Sequence, residues 1–167
     1  VKDYILYVGR LSPIKNQLAL IAAAKDLDLP IVLIGPVNHA DYGKKCLQMG
    51  DNKVKYIPGL EHSQLAAAYK DAKVHVQPSW FETTGLASLE AAAMGTPVVI
   101  TDRGATKEYF KDMAEYCQPQ DVNSIKNAIS RACQTFNTKR LQEYVLTHYT
   151  WEKAAQKTLD IYIKVLQ

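Results

Sequence analysis

Short apolar segments alternate with stretches of helical spacing over the first two-thirds of the chain. That alternation constrains the fold more than any other feature. Tyr4–Val8, Ile31–Ile34, Val54–Ile57, Val74–Gln77, Val98–Thr101 and Ala114–Cys117 have the length and composition of strands. Between them, Asn16–Leu27, Asp41–Met49, Ser63–Tyr69, Leu86–Ala93 and Thr106–Phe110 are spaced as helices. Strands that are apolar at nearly every position suit a parallel sheet buried on both faces. The regular alternation then predicts an α/β, Rossmann-like, doubly wound parallel sheet of about six strands with helices on both faces. After Cys117 the pattern is wholly helical, over Val122–Thr135, Lys139–His148 and Trp151–Leu166. Neither an internal repeat nor a low-complexity linker divides residues 1–167, so one domain is expected.

At 167 residues, 47% apolar and 22% charged, the chain has the balance of a soluble globular domain. No apolar run approaches the roughly 20 residues of a membrane-spanning helix. The opening Val1-Lys2-Asp3-Tyr4 has neither an initiator Met nor a leader pattern, as expected of an excised fragment. A net charge of +3 with both signs interspersed argues against a nucleic-acid partner, which calls for clustered cations. The three cysteines, Cys46, Cys117 and Cys133, are widely spaced without a CxxC. They read as small buried hydrophobes in a reducing, cytoplasmic setting. His39 and His62 fall in loops and read as solvated, whereas His75 falls inside a strand and reads as core.

In doubly wound folds ligands bind beyond the carboxyl ends of the strands, where the strand order reverses. The loop after the first strand, Gly9-Arg10-Leu11-Ser12-Pro13-Ile14-Lys15-Asn16, has neither the GxGxxG of a dinucleotide site nor a P-loop. It offers instead a planar guanidinium at Arg10 and a mobile point charge at Lys15, both suited to phosphate oxygens near a helix start. Two such cations are also what a solvated loop carries. The fourth strand leads into Pro78-Ser79-Trp80-Phe81-Glu82-Thr83-Thr84-Gly85, where Thr84 can cap the next helix and Gly85 lets a ligand approach its free amides.

Glu82 precedes that helix and Glu90 lies on it. Eight residues at ~1.5 Å rise separate them by at least roughly 12 Å. Glycosidase carboxylates stand about 5–9.5 Å apart, so hydrolysis by this pair is excluded. An extended ligand with hydroxyls at both ends and phosphates between them, as in a nucleotide sugar, fits the spacing. Alternatively, Glu82 serves the helix dipole and Glu90 is solvated.

The stretches GRLSPIKN at 9–16, Glu82 to Glu90 running on through EAAAMGTPVV, Tyr56-Ile57-Pro58-Gly59 with Leu65 and Tyr69, and Tyr149-Thr150-Trp151-Glu152 cover essentially the whole chain. In this order they resemble the C-terminal, donor-binding half of retaining glycosyltransferase family 4 (glycosyl transferases group 1), of the two-domain GT-B fold. The resemblance implies a hexosyl-type transferase acting on a UDP-, GDP- or ADP-sugar. Arg10 and Lys15 would hold the diphosphate and Glu90 the ribose. Glu82 would contact the sugar. The amides of Thr84, Gly85 and Leu86 would reach sugar and phosphate, and Leu60 would lie against the base. Arg10, Lys15 and Glu82 would carry catalysis. The family's common Gly-Phe-Gly after the first glutamate is Thr83-Thr84-Gly85 here, a change that bears on the sugar pocket.

No metal or other cofactor is expected, because the two cations would neutralise the leaving diphosphate. Asp26-Leu27-Asp28, the one Asp-x-Asp, falls at the amino end of the sheet. No residue reads as a base or covalent nucleophile, which fits the family's same-face mechanism, in which the leaving phosphate helps deprotonate the acceptor. The resemblance assigns the acceptor, a glycan or lipid-linked saccharide, to an N-terminal half outside this chain, together with any peripheral membrane contact. The apolar stripe Trp151, Ala154, Ala155, Leu159, Tyr162 and Leu166 is expected to pack on the domain's own sheet, or to cross to that other half. A GT-B sugar-nucleotide epimerase and a non-catalytic nucleotide-sugar-binding module remain alternatives.

Overall fold

The computed structural model describes residues 2–135 and 137–166. Six strands, β1 (Ile5–Val8), β2 (Ile31–Ile34), β3 (Val54–Ile57), β4 (Val74–Gln77), β5 (Val98–Thr101) and β6 (Glu115–Cys117), form one sheet in the order β3-β2-β1-β4-β5-β6. Every neighbouring pair is parallel, with Ile5 opposite both Ile31 and Val74. The expected doubly wound sheet is therefore present, and its order reverses between β1 and β4. The helices are α1 (Gln17–Ala23), α2 (Ala40–Gly50), α3 (His62–Asp71), α4 (Leu86–Ala93), α5 (Thr106–Phe110), α6 (Val122–Thr135), α7 (Thr138–His148) and α8 (Trp151–Leu166).

Side chains alternating along the strands divide the core in two. Ile5, Tyr7, Leu33, Val74 and Val76 face α1 and α6, packing with Leu20, Ile125 and Ile129. Leu6, Ile34, Val98 and Ile100 face the other way, onto Tyr69 of α3, Leu89 of α4, Phe110 of α5 and Leu141 of α7. Cys46 and Cys117 are buried as expected, and burial pushes their thiols up to about 11 and about 12. Cys133 is only half-buried. His75 is fully buried, as a core residue should be. Among the described residues no helix is long and apolar enough to cross a membrane.

Two expectations fail. The helix expected over Asn16–Leu27 begins later and ends sooner, because Pro13–Lys15 form a 3-10 turn and Asn16 adopts the left-handed conformation at φ 60°. At its far end, Lys53 Nζ donates to the carbonyls of Lys25 and Leu27, which holds that segment as a turn. Nor does α8 pack on the domain's sheet: none of its residues is buried, and Trp151, Tyr162 and Leu166 are 82%, 63% and 87% exposed.

Candidate functional site

The reversal of strand order opens a crevice between the loops that follow β1 and β4, and the sequence stitches these loops together. Asn16 is buried, and its Nδ2 donates to the carbonyls of Pro78 (3.0 Å) and Pro119 (2.8 Å). The Trp80 amide donates to the Ile14 carbonyl at 2.9 Å. Buried Gln17 spans the first loop from within, donating to the Arg10 carbonyl at 2.8 Å and accepting from the Ser12 amide at 3.4 Å. These side-chain bonds satisfy backbone groups that no strand partner reaches, which fixes a loop that would otherwise be solvated.

Lys15 is consequently not the mobile point charge the sequence suggests. Its Nζ lies 2.5 Å from Glu82 Oε1, and its side chain is only 19% exposed. Glu82 is itself 7% exposed and also accepts from Gln77 Nε2 at 2.5 Å. The backbone of Glu82 is held as firmly. Its amide donates to the Arg103 carbonyl and its carbonyl accepts from the Ala105 amide, across a bridge to Gly104. At Gly104 (φ +92°) a Cβ would stand 2.0 Å from the Glu82 carbonyl oxygen, so only glycine permits this approach. Beneath them Tyr7 is fully buried, and burial, then the Glu82 carboxylate, raises its phenol above the ordinary range.

The helix α4 starts four residues after Glu82. Its cap is Gly85, left-handed at φ 72° and ψ 56°, and not Thr84, whose side chain makes no cap bond. The left-handed turn is the reason: it swings the chain so that no side-chain acceptor covers the first amides. Those of Leu86 and Ala87 lack intrahelical acceptors, as at any helix start; Thr84 beside them is half-buried and Leu86 is 60% exposed.

Glu90 stands away from this cluster on the exposed side of α4, though it is not simply solvated. Its Oε2 accepts from Tyr69 Oη at 2.8 Å, and it borders a cavity of ≈ 190 Å³ with His62, Leu65 and Met94. Burial, then the Glu90 charge, raises the Tyr69 phenol, so the tyrosine stays a donor. Leu60 is half-buried against the core on the α3 side, in a loop closed by a capping box between Glu61 and Gln64. Arg10 is exposed and lines a separate groove of ≈ 380 Å³ with Ser12, Pro13, Asn38 and His39.

The structure thus brings Lys15 and Glu82 into contact, with the Gly85 cap three residues further along the same loop. Arg10 lines its own groove with Asn38 and His39, and Glu90 and Leu60 lie on the α3 side of the Lys15–Glu82 cluster. Asp26 is far from it and pairs with Lys126 at 2.9 Å. Among the described residues no group of three or more His, Cys, Asp or Glu is placed to hold a metal ion. Asn16, Gln17, Tyr69, Gln77 and Ser88 were not recognised as site residues from sequence. Gln77 and His75 did carry a signal, being polar at alternate positions of an otherwise apolar strand.

The chain is 30% identical, over 174 aligned positions, to an uncharacterized glycosyltransferase of Methanocaldococcus jannaschii, spanning 95% of this chain and 44% of that protein. Against the D-inositol 3-phosphate glycosyltransferase of Arthrobacter sp. it is 35% identical over 122 positions, 66% of this chain and 29% of that one. Sucrose-phosphate synthase from Thermosynechococcus elongatus superposes with a TM-score of 0.88 at 28% identity, over 99% of this chain and 46% of that one. An Anabaena protein solved in complex with UDP and glucose shares the fold at a TM-score of 0.88 and 19% identity, over 98% of this chain and 49% of its own. The chain spans less than half the length of these curated relatives. Its six-stranded parallel sheet with a helical C-terminal segment is the C-terminal half of a GT-B fold, and residues 2–144 match the family described as glycosyl transferases group 1. The chain belongs to that family.

Proposed function

We propose that this chain is the donor-binding domain of a retaining, metal-independent glycosyltransferase of family 4, which transfers a sugar from a nucleoside-diphosphate sugar to a glycan or lipid-linked acceptor. The observation that carries the reading is the cluster of Lys15, Glu82 and the uncapped start of α4 at the reversal of strand order. An ammonium and a set of free amides converging there suit the diphosphate of an extended ligand. Both donors to Glu82 fall on Oε1, which leaves Oε2 for a sugar hydroxyl. Arg10, exposed in the loop after β1, reaches the diphosphate from its own side. Glu90, with Oε2 anchored by Tyr69, presents its other oxygen to the ribose, and Leu60 borders the base. As the glycosidic bond breaks, charge develops on the leaving diphosphate, where Lys15, Arg10 and the helix start stabilise it. The acceptor is deprotonated on the same face by that leaving phosphate.

The exposed apolar face of α8 supports a further surface against this domain, which we assign to an acceptor-binding N-terminal half. Calorimetry of the chain against UDP, GDP and ADP tests the reading. Binding of one of them with EDTA present is the expected result. Binding that vanishes in EDTA and returns with Mn²⁺ overturns metal independence, and no binding of any of the three overturns the donor site.

A further inference from the structure

Behind Glu82 lies a buried chain of polar side chains that neither contacts the proposed ligand nor fills a helix cap. The central strands β1 and β2 are apolar throughout, yet β4 beside them carries His75 and Gln77 beneath α4, at 0% and 4% exposure. The fully buried Ser88 of α4 donates from its hydroxyl to Gln77 Oε1 at 3.0 Å. The Glu82 carboxylate, which can only accept, fixes which way the Gln77 amide points, and Ser88 completes the pairing at its other end. With Oε1 occupied by a donor, Nε2 is turned to Glu82 Oε1, 2.5 Å away; the flipped amide would set two acceptors against each other. His75 Nε2 lies 3.1 Å from Ser88 Oγ, whose proton is already committed to Gln77, so Nε2 donates; burial keeps the ring neutral, lowering its pKa to about 4. Each such group costs free energy to bury, and a leucine at 77 would pack the core without that cost. A network of this kind persists where its geometry is needed.

We propose that Gln77 is a positioning residue of the donor site: held by Ser88 and His75, it locks Glu82 Oε1 in place and so keeps the Lys15 ammonium at the reversal of strand order, already oriented for a diphosphate. The part of this that concerns Lys15 stands on geometry alone. The part that concerns the ligand rests on the reading above. Without Gln77 the carboxylate has one donor in place of two, and Lys15 follows it into other rotamers.

The experiment compares the chain with its Gln77→Met variant, which keeps the volume and removes the donor. In the ligand-free protein, the rate at which Lys15 is acetylated by an amine-reactive ester is read by mass spectrometry against the exposed Lys44 and Lys157. Lys15 is expected to be protected in the parent chain and several-fold more reactive in Gln77→Met. UDP affinity is expected to fall about tenfold, as on loss of one hydrogen bond to a charged group. A merely structural glutamine would lower thermal stability and leave Lys15 protected, and that result overturns the proposal. If Gln77→Met does not fold, Gln77→Leu carries the same test, since it too removes the donor to Glu82 Oε1, and continued protection of Lys15 there is equally decisive. Release of Lys15 with unchanged UDP affinity overturns the donor-site role. Failure of the parent chain to bind UDP, GDP or ADP overturns the functional reading instead and is seen before any variant is made.

Discussion

Neutralising Glu82 should strand a cation that the fold has nearly enclosed. In Glu82→Gln the shape survives, but Lys15, with 19% of its side chain exposed, loses its counter-charge 2.5 Å away. Breaking a fully buried pair from one side costs about 3–5 kcal/mol, whereas an exposed pair is worth less than about 1 kcal/mol. The fifth of its surface that Lys15 keeps lets it regain some water, which sets the expected loss at about 2–3 kcal/mol. For a domain of this length that lowers Tm by about 4–12 °C. Lys15→Met should cost a similar amount by leaving the carboxylate with Gln77 alone. The double variant Lys15→Met/Glu82→Gln removes both charges and so should be far more stable than the sum of the single losses predicts, with a coupling of about 2 kcal/mol. Urea unfolding followed by circular dichroism measures all four proteins. Single losses that add within about 0.5 kcal/mol would show that the pair contributes nothing, and the account of Lys15 as an enclosed, ion-paired residue would fail.

Glu90→Ala should weaken binding of the nucleoside diphosphate that the chain takes by about 1.5–3 kcal/mol in calorimetry, the worth of hydrogen bonds to a charged group, and barely move Tm; a variant that unfolds would make Glu90 structural. Burial lowers the His75 pKa to about 4 from its ordinary 6.5, so between those values the unfolded chain holds the extra proton. Stability should therefore be full above pH 6.5 and fall by about 3 kcal/mol as pH drops toward 4, a loss that His75→Gln should largely remove from the pH dependence of urea unfolding. The chain alone should bind nucleoside diphosphate yet transfer no sugar, because donor and acceptor must be held together, and orientation supplies roughly 7–11 kcal/mol of such a barrier. Robust transfer by these 167 residues, assayed with radiolabelled donor, would refute the assignment of the acceptor to another half.

Strand positions were legible because burial on both faces leaves a local mark. β2, β3, β4 and β5 fall on the residues that their apolar runs predict, and β1 and β6 begin one residue late. The site was legible only in part. Arg10, Lys15, Glu82 and Glu90 stood out as charges in loops or at a helix start, but the partners of Lys15 and Glu90 lie 67 and 21 positions away, and periodicity does not report such distances. Thr84 was a reasonable cap on residue preference. It yielded to Gly85 because the chain, clamped at Glu82 by Gly104, must turn through a left-handed conformation to start α4. The stripe on α8 was visible as a pattern, yet nothing in a pattern says which surface it will meet.

Lys15 and Arg10 look equivalent in sequence, and the structure separates them. An ammonium has three donors, and the contact with Glu82 uses one of them. Its other two donors have no protein partner among the described residues, and the side chain is already held by that contact. Little rotamer freedom remains for a diphosphate to remove, and the cation stands in place before charge develops on the leaving group. Glu82 offsets part of the positive charge, so Lys15 contributes orientation more than net attraction. Arg10 is the reverse case. Exposed in the loop after β1, with its carbonyl and not its guanidinium tied down by Gln17, it can follow phosphates of differing geometry at the cost of ordering a long side chain on binding. In the proposed function, then, the fixed ammonium sets where the diphosphate lies, and the mobile guanidinium adapts to what is attached to it.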